Sequence, residues 1–159
     1  MTRSDQQLHP STVTLWRLQR GLRLVIVGVP MAIAVGIGLA MVLPISAAVL
    51  IAGVLILFQA GMAVFWPTLE YDAFRYSVRE EDLLVQSGVI FRRWSSIPLT
   101  RIQHVDTRQG PLERLLGLSR LLVFTAAGMS ADGSIPGLAT ATAETMRDEL
   151  SRRGGDDGV

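Results

Sequence analysis

The chain has 159 residues, a formal net charge of +1, 14 acidic residues and 15 basic ones, all of them Arg. Cysteine is absent, which excludes disulfide frameworks, thiolate metal sites and cysteine nucleophiles. The Arg-only usage reads as genomic composition bias rather than selection for phosphate-binding forks.

Residues 1–23 carry Arg3, Arg17, Arg20 and Arg23 and read as a flexible N-terminal tail that includes His9. Beyond Arg23 the chain runs 46 residues, 24 to 69, without Asp, Glu, Lys, Arg or His. A hydrocarbon core about 30 Å thick needs roughly 20 apolar residues in a helix. Residues 24–43 and 47–66 each supply that length around a Pro44-Ile45-Ser46 turn, so 24–66 is predicted to be a two-helix transmembrane hairpin. A second full-length span follows the first at once, which argues against a cleaved signal peptide. Positive flanks stay inside, so both termini are expected on the cytoplasmic side of the cell membrane. Trp16 and Trp66 suit the interfacial belt on that side.

Gly28, Ala32, Gly36 and Ala40 recur every four residues and form a small-residue stripe on one helix face. Such stripes let helix backbones approach closely. The partner is either the second span, with Ala52, Gly53, Ala60 and Gly61, or another protein, and a homo-oligomer stays open. Gln59 is the one strongly polar side chain in the two spans, and no ionisable group accompanies it. Ion pathways and proton relays need such a group, so a transporter is not expected.

From residue 71 the pattern becomes β-type. Phe74, Tyr76 and Val78 alternate with Arg75, Ser77 and Arg79, the mark of a half-buried strand. Glu80-Glu81-Asp82 is a polar turn, and residues 83–88, 89–94, 95–99 and 101–107 read as further short strands or strand continuations. Gly110-Pro111 breaks the pattern, and 111–116 reads as one or two helical turns with Gly117 as C-terminal cap. Strands are expected at 121–125 and 134–138, joined by a turn at 128–133. A terminal helix at 140–153 presents Ala143, Met146 and Leu150 on one face, and 154–159 reads as a frayed, flexible tail.

These residues carry a resemblance. The runs YSVREEDLLVQSGVIFRR at 76–93, IPLTRIQHVD at 97–106, QGPLERLLGL at 109–118 and IPGL at 135–138 resemble the bacterial pleckstrin-homology-like domain of the YdbS-like membrane protein family. The resemblance covers 71–153, and the preceding hairpin fits the family layout. It implies a mainly-β domain, an antiparallel barrel or sandwich of about seven strands closed by the C-terminal helix. It also implies a membrane location and a larger companion membrane protein carrying related domains. It implies no catalytic residues.

The residues themselves offer little chemistry. His104 has no second histidine near it in sequence, and nothing places a nucleophile beside it. Glu80, Glu81 and Asp82 read as a solvated turn, and the glycines lack the spacing of a phosphate or dinucleotide loop. Catalytic, cofactor and metal sites are therefore not expected. Residues 72–159 hold 11 Arg against 12 acidic groups, too little basic excess for nucleic acid. Within 92–120, however, Arg92, Arg93, Arg101, Arg108, Arg114 and Arg120 stand against Asp106 and Glu113. That excess offers a contact for anionic membrane lipids or a protein partner. The leading expectation is a non-enzymatic, membrane-anchored interaction protein, a subunit or adaptor of a membrane complex. The alternative is a module at the inner leaflet that binds anionic lipid or senses envelope stress.

Overall fold

The structure is a computed structural model that describes residues 6–125 and 132–155. It divides into two compact units, 16–68 and the remainder of the chain.

The first unit is built on two long apolar helices. Helix α1 (Ser11–Arg23) passes through a wide π-turn (Leu24–Gly28) into α2 (Val29–Ala40), giving 30 continuous helical residues. The π-turn has a local cause. Pro30 has no N–H to offer the carbonyl four residues back, and the Val29 N–H reaches Leu24 O, five residues back. Helix α3 (Ile45–Ala73) supplies 29 residues. At 1.5 Å per residue, each helix is about 45 Å long, so a 30 Å core leaves the Arg-bearing and Glu70-bearing ends outside it. Both are long and apolar enough to cross a membrane, and most of their apolar surface is bare. The small residues face inward. Ala32 and Ala48 are buried, and a β-carbon on Gly36 would stand 3.2 Å from that of Ala52. The Gln59 amide lies against Gly28, in the space a β-carbon there would take. Ala40 is exposed. Near Pro67, Arg17 donates from Nε to the Val64 carbonyl at 3.1 Å and from an Nη to Thr68 Oγ1 at 3.0 Å.

The second unit holds six strands among the described residues. Strands β1 (Arg75–Val78), β2 (Asp82–Ser87) and β3 (Arg93–Pro98) form one antiparallel sheet. A 3-10 turn (Leu99–Arg101) leads to β4 (Ile102–Arg108), helix α4 (Pro111–Leu115), β5 (Leu118–Thr125) and β6 (Gly133–Ala139). These three strands form a second antiparallel sheet in the order β4-β5-β6. Of the expected antiparallel barrel or sandwich of about seven strands, the described residues form two open three-stranded sheets not joined by strand pairing, so no closed barrel is present among them. One reason lies at 88–92. Of the run at 89–94, residues 89–92 make the loop of the β2–β3 hairpin, and only Arg93 and Trp94 are strand, the start of β3.

Alternation fills the core: Leu83 and Val85 from β2, Leu121 and Val123 from β5, and Ile135 from β6 are buried. Helix α5 (Thr140–Gly155) packs chiefly on β4 and the 3-10 turn, burying Ala143, Met146 and Leu150 as their spacing predicts. The expected turn at 128–133 and tail at 154–159 lie largely outside the described residues, and positions 154 and 155 belong to α5 rather than to a tail.

The expected flexible tail is not what residues 6–15 form. Gln6 exchanges two backbone hydrogen bonds with Tyr76 on β1, at 2.7 and 3.1 Å. The His9 N–H donates to the Gly137 carbonyl on β6 at 3.0 Å, and Thr12 Oγ1 donates to the same oxygen at 2.9 Å. Leu8, just ahead of α1, and Thr12 and Leu15 on one face of α1 are all but fully buried. The segment thus ties an edge of one sheet to an edge of the other. Burying Leu8 and Leu15 supplies the driving force, about 1.5–3 kcal/mol for each leucine.

Candidate interaction surfaces

The six Arg residues grouped by sequence sit on several elements. Arg92 ends the β2–β3 loop and Arg93 opens β3. Arg101 follows the far end of β3, about 20 Å along the strand direction at 3.3 Å per residue. Arg108 closes β4 and pairs in register with Arg120 on β5. Arg114 lies on α4. Two of these cations already have carboxylate partners. Arg108 meets Asp106 at 3.3 Å, an exposed pair of little energetic weight. Arg120 meets Glu113 at 3.3 Å. Glu113 is itself buried and accepts the Gly110 N–H at 2.6 Å, closing the first turn of α4. Its role is that of a cap and an anchor for α4, which the run of Arg residues in the sequence conceals.

His104 stacks on Phe124 across β4 and β5, with ring centroids 4.3 Å apart and planes 10° from parallel. It acts as a cross-strand ring. In the acidic turn, Asp82 accepts the Ser96 hydroxyl at 2.6 Å, and the Glu81 carbonyl accepts the Leu99 N–H at 2.9 Å. His9 accepts the Ser11 N–H on Nδ1 at 3.3 Å, an entry cap to α1. No group of three or more His, Asp or Glu able to hold a metal occurs among the described residues.

Two surfaces have the shape of contact sites. A shallow open groove runs beside α5, lined by Gln6, Ala141, Thr142, Thr145, Met146 and Glu149. Glu149 is held there by Arg153 at 2.8 Å, which also donates to the Arg79 carbonyl. Gln6 at this wall is not legible in the sequence, because a single bridge to β1 leaves no periodic pattern. The second surface is the β2–β3 loop. Ile90, Phe91 and Trp94 are 71%, 88% and 60% exposed. Tyr76, on β1, is buried, and that burial pushes its phenol above the ordinary pKa.

Comparison with known proteins settles the lineage. The sequence model of the family described as the bacterial PH domain matches residues 21–154, most of the chain. The chain belongs to the bacterial PH domain family. Within that family it is similar to the UPF0699 transmembrane protein YdbS of Bacillus subtilis (strain 168), with 30% identity over 149 residues. The match covers 92% of this chain and 90% of that protein. No solved structure matches the chain. The two apolar helices, together with a transmembrane relative matched along nearly its whole length, make this bacterial PH protein a membrane-associated one.

Proposed function

We propose that the chain is a non-enzymatic interaction protein of the cytoplasmic membrane, anchored by its two apolar helices and docking a partner subunit through its PH-like domain. Both termini lie on the cytoplasmic side in this reading. Arg17, Arg20 and Arg23 flank the first helix, whereas the connection between the helices carries no charge. The observation that carries the docking role is the groove beside α5. Its walls come from two separate segments, Gln6 and the exposed face of α5, and they mix apolar methyls with hydroxyl, amide and carboxylate groups. A peptide segment or a second PH-like domain finds there both apolar contact and hydrogen-bonding groups. The partner is proposed to be a larger membrane protein carrying related domains.

The test is purification from native membranes in mild detergent, with the chain expressed at its own level and tagged at its C terminus. A second membrane protein is expected in stoichiometric amount. It should be lost when Thr142→Arg and Thr145→Arg, both at exposed positions, fill the groove. Recovery of the chain alone contradicts the docking role.

A further inference from the structure

We infer that the β2–β3 loop, residues 88–92 with Trp94 behind it, is a membrane-inserting tip that enters the interface of an anionic bilayer. Outside the two long helices, the described residues expose four large apolar side chains: Ile90, Phe91, Trp94 and Leu115. Three of them fall within five consecutive positions. Ser87 pairs with Arg93, so Ile90 and Phe91 stand at the apex of the hairpin, and Trp94 follows one position up the strand, opposite Gln86. The apex has a fixed shape. Gly88 adopts φ +100°, and the Phe91 carbonyl folds back into the space where any β-carbon would sit.

The order of residue types selects lipid as the occupant. An apolar apex suits the acyl boundary, the two guanidiniums of Arg92 and Arg93 suit the phosphates, and an indole behind them suits the headgroup layer. Charge agrees. Residues 72–159 carry a slight negative excess, yet 83–105 contain no Asp or Glu. An anionic surface therefore meets cations at this tip without carboxylates in the same stretch of chain. The second apolar helix ends at Ala73 and β1 begins at Arg75, so the domain is tethered to a bilayer and insertion is an intramolecular event. The remaining Arg residues, spread along β4, α4 and β5, are not required.

The absence of native cysteine makes the test clean. The full chain carrying Phe91→Cys, labelled with an environment-sensitive dye, is reconstituted in nanodiscs of phosphatidylcholine with or without phosphatidylglycerol. A second sample carries the dye at Glu144→Cys on the exposed face of α5. The inference expects blue-shifted emission at position 91, quenched by brominated lipid and shielded from aqueous iodide, only when phosphatidylglycerol is present. The dye at position 144 should stay open to iodide in both discs. Replacing Arg92 and Arg93 by Ala should lower the inserted-to-free ratio roughly 30-fold, about fivefold per cation. A dye at position 91 that iodide reaches in both discs overturns the inference. So does a blue shift that brominated lipid does not quench, which would assign the tip to a protein contact. Lipid quenching unaffected by phosphatidylglycerol or by loss of both Arg residues overturns the anionic part.

Discussion

Gly137 adopts φ +62°, and Thr12 packs where a β-carbon would stand while donating its hydroxyl to the Gly137 carbonyl. Both constraints oppose any side chain. Gly137→Ala is expected to destabilise the domain by about 2 kcal/mol or more, read as a lowered midpoint in denaturant. Thr12→Val, which keeps the shape and drops the hydrogen bond, should cost about 1 kcal/mol. Tyr76 gives a pH signature. Its native phenol keeps the proton at pH values where an unfolded one, with its ordinary pKa near 10, has lost it. The contribution of this group is therefore intact below about pH 10 and declines as pH rises beyond that. Tyr76→Phe should remove that part of the alkaline loss, and thermal unfolding across the range checks it. These constraints were hidden in the sequence. The IPGL run marked Gly137 as part of a strand, but nothing local revealed that residue 12 would fill the space beside it.

At the scale of elements, residues 6–15 differ most from expectation. Thr12 and Leu15 share a face of α1, and that spacing was the available signal. It was too short to stand out, and the pairing of Gln6 with Tyr76 spans 70 positions. Because Leu8 is buried, Leu8→Ala should cost roughly 2–5 kcal/mol. The Tyr76 amide, which donates to Gln6, should then exchange with deuterium measurably faster. A mobile tail would show neither effect. The apolar helices were legible because an uncharged run of this length has few alternatives, whereas the π-turn before Pro30 follows from one residue and left no periodic trace. Gly36→Leu should wedge α2 away from Ala52 on α3 and lower stability by roughly 1–3 kcal/mol, measured by unfolding in mixed micelles. The strands at 75–78 and 133–139 lay near their expected places because alternation is local. Residues 89–92 form a loop where a strand is expected, because propensity alone does not distinguish a buried strand from a loop tip that faces outward, whereas 93–94 do open β3.

For the whole molecule, sequence neighbourhood does not say which cations already hold a carboxylate. Six Arg residues within 92–120 make a basic segment in sequence, and in the fold Glu113 and Asp106 engage two of them. Composition cannot foresee this, because it depends on strand direction and register. What the sequence conveyed well was the division of labour: an apolar pair of helices, then a small mainly-β domain of the bacterial PH family. The account as a whole rests on the domain facing the cytoplasm, and cysteine accessibility in intact cells tests this most directly. Thr142→Cys on α5 and Ser46→Cys between the helices, placed one at a time in the cysteine-free chain, are treated with a membrane-impermeant maleimide. Labelling at position 46 in intact cells, with position 142 labelled only after the membrane is opened, is the predicted result. Labelling of position 142 from outside intact cells would contradict it.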